Sequence, residues 1–385
     1  MRLNKSLWRN VFLLWLGWYL ALISFQQINW ARLAAQRPDN GYAWVAGMTG
    51  GEYDAPKQGA WFYARWDSYR YVAIAQQGYA DPKMSVFFPG YPFLMRIADT
   101  GLSLFIAETA YNHRMAFAGM LVSAISSYIA VIGLVIFLRE RLGEDHALRG
   151  TFYVLIFPTA MFMPQVYTEA AYLAFSIWAL IYIYREKWLI AAALAAYATL
   201  TRPTGIFLFF PVLTICLDHW WRGRKINPLA AAAFFAPLLT FYLFNSYLRA
   251  VGIDTIAAQQ NFGRYLLHPY AILALIQQMG WMGLHPNGAV QIGFDLGFTL
   301  FATIMCLIAW NKHSGLALYG LAVTWTSLAT GQLVSQNRYV LMVLPIFLVL
   351  ARWGKHWAFD RVWTIISLLL LALYLIQFTQ GLWTG

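Results

Sequence analysis

Residues 115–138 read MAFAGMLVSAISSYIAVIGLVIFL, with no charged side chain between Arg114 and Arg139. Wound as a helix, a run of that length matches a hydrocarbon core about 30 Å thick. Similar runs lie near 10–28, 149–163, 167–184, 188–201, 204–220, 228–248, 290–310, 314–333, 338–352 and 360–380. Together they predict about eleven crossings. The run at 188–201 is short for one and must be tilted, extended or packed inside the bundle. A β-barrel would show short alternating segments instead. The expected fold class is all-α, a polytopic membrane protein read as one domain over 1–385.

Composition agrees. Of 385 residues, 60% are hydrophobic and 11% charged, too little charge to clothe a soluble protein of this size. The net charge of +11 would suggest nucleic acid in a soluble chain. Here an excess of Lys and Arg in cytoplasmic loops explains it, and no nucleic-acid motif accompanies it. Arg139, Arg141 and Arg149, then Arg185 and Lys187, then Arg222, Arg224 and Lys225, then Lys312, then Arg352, Lys355 and Arg361 fall between spans on one side. That asymmetry, with Arg2, Lys5 and Arg9 before the first run, places the N-terminus in the cytoplasm on an uncleaved span. Cys216 and Cys306 sit far apart in apolar runs, as core residues rather than a disulfide or zinc framework.

Two long segments remain outside, 29–114 and 249–288. Within the first, the apolar part 86–105 carries Arg96 and Asp99 and fits an interfacial or re-entrant helix. The same loop holds WFYARWDSYRYVAIAQQGYADPKMSVFFPGYPF, residues 61–93. Asp67 stands there between Arg65 and Arg70, with Tyr71, Ile74 and Gly78 following at helical spacing. Gly78 and Asp81-Pro82 stop that helix, and Phe87 to Pro92 bends the chain again. On residue type alone, Asp67 before Ser68 reads as a helix N-cap ahead of a catalytic acid.

Four polar groups are expected on the outer side. They are Arg65-Trp66-Asp67 with Phe87 to Gly90, Phe157-Pro158 through Glu169, Thr201 to Gly205, and Gln336-Asn337-Arg338-Tyr339. The segment 254–269, with Gln259, Arg264 and His268, joins them. Taken singly, Glu169 could pair with Arg202 or Arg338, and either arginine could snorkel to headgroups. As a set, an acid able to take a proton and cations able to hold a phosphate point to chemistry at the membrane edge. Glu52-x-Asp54 is a weak carboxylate pair, better read as a solvated turn, so no metal ligand is assigned and a divalent ion stays open as a cofactor. There is no Walker phosphate loop or Rossmann fingerprint, so the membrane itself should deliver the donor.

Arg65-Trp66-Asp67, Gly78-Tyr79 and Phe87-Phe88-Pro89-Gly90-Tyr91-Pro92 resemble the signature of the PIG-V family, the second mannosyltransferases of GPI-anchor assembly. The turns at 157–170 and 201–205, Ala258-Gln259 with Gly263-Arg264 and Pro269, and Arg338-Tyr339 with Pro345 resemble later motifs in the same order. The resemblance implies a C-type membrane glycosyltransferase (GT-C) fold with short interfacial helices in the first outer loop. It also implies a polyprenyl-phosphate sugar donor, usually mannose, a lipid-linked or glycan acceptor, and inverting transfer with Asp67 as base. The compact loops resemble a bacterial member in the cell membrane; a eukaryotic one would sit in the endoplasmic reticulum. On this reading Arg202, Arg264 or Arg338 stabilises the leaving phosphate. Glu169 orients the acceptor or an arginine, and Arg65, Trp66, Tyr71 and Gln259 line the substrate. The rival classes are a transporter or flippase of a lipid-linked sugar, and a non-catalytic assembly subunit.

Overall fold

The computed structural model describes residues 5–33, 59–107, 113–261, 263–265, 269–283, 286–331, 333, 335–382 and 384. Every regular element among them is helical. In lipid, backbone amides and carbonyls must pair within the protein, and a helix does this locally. Six segments are long and apolar enough to cross a membrane: Leu7–Arg32, His113–Leu142, Pro203–Trp221, Ala230–Ala250, Gly288–Ala329 and Trp357–Thr379. Glu169–Tyr184, Trp188–Thr201 and Leu344–Trp353 are shorter apolar helices. The chain is an all-α integral membrane protein.

Every apolar run of the sequence carries helix, several of them in pieces. The run at 149–163 is a helix that stops at Leu155, then a 3-10 turn at Ala160–Phe162 beyond Phe157-Pro158. The runs at 290–310 and 314–333 form Pro286–Ala329, interrupted at His313, where φ −144° and ψ 50° are not helical. The run at 338–352 divides into Gln336–Val340 and Leu344–Trp353. Pro345 sits at the start of the second piece, where a missing N–H costs nothing.

The chain divides into two compact units. The first comprises 1–80, 87–177 and 351–384. It holds α1 (Lys5–Arg32), α2 (Ser68–Gln77), α3 (Gly90–Leu102), α4 (His113–Leu142), α5 (Glu144–Leu155), the start of α6 (Glu169–Tyr184) and, near its end, Trp357–Thr379. α2 and α3 pack on each other and on α4, while α1 packs on α4, α5 and Trp357–Thr379. α4 meets the 165–167 turn closely at Gly119, where a Cβ would lie 2.6 Å from Val166 Cγ1. α3 has 13 residues, roughly 20 Å of helix and short of a crossing. Tyr91 and Met95 are buried on one face while Phe93 and Ile97 are exposed on the other, as an interfacial helix requires.

The second unit comprises 81–86, 178–350 and 385. It contains α7 (Trp188–Thr201), α8 (Phe209–Trp221), α9 (Ala230–Ala250), α10 (Thr255–Asn261), α11 (Pro269–Gly283), α12 (Pro286–Ala329) and α13 (Gln336–Val340), then most of α14 (Leu344–Trp353). The helix Trp357–Thr379 of the first unit is α15. α9 packs on α7 and α8, and α12 packs on α8, α11 and α13. A 3-10 turn, Pro203–Leu208, is wedged among α7, α8, α9 and α12.

Gly205 makes that wedge fit. A Cβ there would lie 2.5 Å from the Thr199 amide nitrogen and 2.6 Å from its Cα, both backbone atoms that cannot swing aside. Gly205→Ala is therefore expected to cost about 1–3 kcal/mol and to lower the thermal unfolding midpoint in detergent. Gly17→Ala, with nothing within 4 Å of its added Cβ, should leave the midpoint unchanged or raise it slightly.

Candidate active site

In the first unit the chain reaches Arg65-Trp66-Asp67 from a 3-10 turn at Gly59–Tyr63. Trp66 is held at φ 55°, in the left-handed region where a bulky side chain costs on the order of 1–3 kcal/mol. Five neighbouring bonds hold it there. The Val166 amide donates to the Tyr63 carbonyl at 3.1 Å, and the Ser68 amide to the Arg65 carbonyl at 3.1 Å. The Tyr167 hydroxyl donates to the same Arg65 carbonyl at 3.0 Å. The Arg65 guanidinium donates to the Phe378 carbonyl at 2.9 Å and to that of Thr379. Those carbonyls belong to the last turn of α15, beyond its regular ladder, and that of Phe378 also accepts the Gly381 amide at 3.0 Å.

Arg65 is fully buried, with its guanidinium 5.6 Å from the Trp30 ring centroid and 5.3 Å from that of Phe62. Its bonds to Phe378 and Thr379 fasten the motif to the end of α15. Two side-chain bonds tie α1 to this region, the first buried and the second part-buried. Gln165 Nε2 donates to Gln26 Oε1 at 3.0 Å, and Gln27 Nε2 to the Tyr63 hydroxyl at 2.6 Å.

Asp67 follows, half-buried at the start of α2. Its main-chain carbonyl accepts the Arg70 amide at 3.0 Å and the Tyr71 amide at 3.4 Å. Its backbone is already helical, φ −62° and ψ −17°, and its carboxylate makes no capping hydrogen bond. Capping, the competing reading of this acid, is thus not what its side chain does. α2 ends at Gly78, whose φ of 69° suits a residue without a side chain.

Tyr71 is buried edge-on against Phe87, Tyr91 and Tyr167, with ring centroids 5.5, 5.5 and 6.2 Å away. It packs the floor of the motif. Glu169 is fully buried in the first turn of α6, where the partial positive charge of a helix start favours a carboxylate. The Val166 and Tyr167 bonds therefore bring together two of the four polar groups, those of Asp67 and Glu169.

The second unit brings the other two together. The Arg202 guanidinium lies over the Tyr339 ring, 5.2 Å from its centroid. Arg202 is extended between α7 and the 3-10 turn, and both it and Arg338 are buried. Arg338 stands in α13 just after Ser335, another left-handed residue, at φ 72°. The 254–265 segment reaches the end of α12, where the Tyr265 amide donates to the Thr330 carbonyl at 2.7 Å. Gln259 and Arg264 are both half-buried there, and the Arg264 amide donates to the Gln259 carbonyl at 3.0 Å. His268, Glu52 and Asp54 lie outside the described residues. Among the described residues no three His, Cys, Asp or Glu side chains gather as a metal-holding group.

Sequence reasoning missed Asp295. It is buried in α12, accepts the Asn337 amide at 3.4 Å and the Gln291 side-chain amide at 2.9 Å. The signal was available: a lone carboxylate inside an apolar run is costly and calls for a partner.

No family model matches the chain. It is 26% identical over 204 residues to GPI mannosyltransferase 2 of two strains of Cryptococcus neoformans var. neoformans serotype D. The match covers 49% of this chain and 47% of the relative, so the chain spans about half the length of the curated relatives it matches. Among solved structures it is similar to the Archaeoglobus fulgidus oligosaccharyltransferase. Against the complex with zinc and sulfate the TM-score is 0.42 at 14% identity, over 85% of this chain and 49% of that one. Against the form tethered to an acceptor peptide it is 0.41 at 10% identity, over 96% and 56%.

Arg65→Met removes both main-chain contacts of the guanidinium, at Phe378 and at Thr379. It should lower the thermal midpoint by the equivalent of about 2–4 kcal/mol, against about 1 kcal/mol for Tyr167→Phe. Unfolding of the purified chain in detergent measures both.

Proposed function

We propose that this chain is a glycosyltransferase that moves a sugar, mannose, from a polyprenyl-phosphate donor to a lipid-linked or glycan acceptor. The observation that carries the reading is the junction at Trp66 and Asp67. A strained backbone, tied down by buried Arg65 and by Tyr167, delivers an acid that does not serve its own helix as a cap. Backbone strain held in place by surrounding structure accompanies function more often than stability. The similarity of half the chain to a mannosyltransferase supports the same reading.

On this reading the acceptor oxygen attacks the anomeric carbon of the donor as Asp67 takes its proton. The bond between that carbon and the phosphate oxygen breaks from the opposite side. The configuration inverts, and lipid phosphate leaves with the electron pair. Arginine suits the departing charge through its bidentate donors, and Arg338 and Arg202 are assigned that role, with Arg264 in support. Glu169 orients the acceptor. Trp66 and Gln259 line the substrate, whereas Arg65 and Tyr71 act from beneath as anchor and floor. The reaction runs on the face of the membrane opposite the N-terminus.

The test uses membranes bearing the full chain, incubated with radiolabelled polyprenyl-phosphate mannose. Label should appear in a new lipid or glycan product. Asp67→Asn keeps the shape and removes the base, so transfer should fall by roughly two to four orders of magnitude at an unchanged protein level. Transfer at the parental rate by this variant overturns the role of Asp67. Passage of labelled donor across liposomes with no new glycosidic bond overturns the enzymatic reading in favour of a transporter.

A further inference from the structure

We infer that Asp295 is a positioning residue for Arg338, acting through the main chain of the turn that carries it. The inference rests on the reading above for what Arg338 does, but its geometry stands within the second unit alone. Asp295 lies in the first half of α12 and is 1% exposed. A carboxylate so placed in an apolar helix is expensive unless its lone pairs are filled.

They are filled by specific groups. Oδ2 accepts the Gln291 side-chain amide, one helical turn earlier, at 2.9 Å. Oδ1 accepts the main-chain amide of Asn337 at 3.4 Å, 42 positions later in the chain, and the Gln336 amide hydrogen-bonds to the carboxylate as well. These are the first amides of α13, a five-residue helix too short to hold its own shape. Ser335, just before them, sits at φ 72° and makes no capping bond with its side chain. A side chain that would ordinarily cap from position 335 is replaced by a carboxylate from another helix.

The consequence falls on the next residue. Arg338 follows Asn337 directly, and the Arg338 amide donates to the Ser335 carbonyl at 3.1 Å, closing the turn. Tyr339, after it, receives the Arg202 guanidinium on its ring. Asp295 therefore fixes the backbone from which Arg338 and Tyr339 both project. It touches neither the guanidinium of Arg338 nor, on the mechanism above, any reacting atom.

The experiment compares Asp295→Leu and Asp295→Asn in the full chain purified in detergent. Leucine removes the acceptor. Asparagine keeps an oxygen for the Asn337 amide, and the Gln291 amide can turn over to meet its nitrogen. Amide hydrogen exchange over 336–340 should speed up about tenfold or more in the leucine variant and stay near the parental rate in the asparagine variant. Sugar transfer should fall in kcat for Asp295→Leu, recover in Asp295→Asn, and fall no further when Asp295→Leu is added to Arg338→Ala. Unchanged exchange in the leucine variant, or a full additional loss on top of Arg338→Ala, overturns the inference. A parent chain that transfers no sugar overturns the reaction instead, and the exchange measurement still decides the role of Asp295.

Discussion

The guanidinium of Arg65 is the interaction on which the first unit turns. Burying a cation is expensive, and here the cost is met by the carbonyls of Phe378 and Thr379 and by the faces of Trp30 and Phe62. One side chain thus resolves two problems that an apolar helical protein cannot leave open. The last turn of α15 has carbonyls beyond its regular ladder, and the loop before α2 has a strained residue that would relax if its neighbours let go. With the Tyr167 hydroxyl on the Arg65 carbonyl, the strained junction is clamped from both its side-chain and its main-chain sides.

The second unit solves a similar problem with the opposite charge. There a buried carboxylate, Asp295, reaches the amides that follow left-handed Ser335. Left-handed backbone alone does not mark such places. Glu186 shares it at φ 54°, and it merely reverses the chain after α6, with the Lys187 amide on the Tyr182 carbonyl. Trp66 is followed directly by half-buried Asp67 and Ser335, three positions on, by buried Arg338, and hydrogen bonds from residues distant in sequence brace both turns.

The helices were legible because hydropathy sums over some twenty residues and tolerates local error. The breaks were legible wherever a proline announced them, as at Phe157-Pro158, and the interruption at His313 coincides with the polar Asn311-Lys312 that divided two runs. The pairing of polar groups was only half legible. Sequence pooled Asp67, Glu169, Arg202 and Arg338; contacts within the first unit link the segments of the first two, and contacts within the second link those of the last two. Side-chain roles were least legible. Arg65 reads as a ligand contact because its carbonyl partners have no signature in the sequence, main-chain oxygen being present at every position. Tyr71 reads as a side chain for stacking or for packing, and the sequence does not reveal the three rings around it. Asp295 escaped notice because a single acid hardly lowers the hydropathy of its run.

The partners of Arg65 lie 313 and 314 positions further along the chain. A ribosome delivers residues in order, so the loop bearing Asp67 emerges long before anything exists to neutralise that guanidinium. Until α15 has been made and inserted, Trp66 lacks part of what holds its unfavourable conformation, the anchorage of the Arg65 side chain. The turn that carries the acid at 67 is therefore secured in full only once α15, more than three hundred positions further along, has been made.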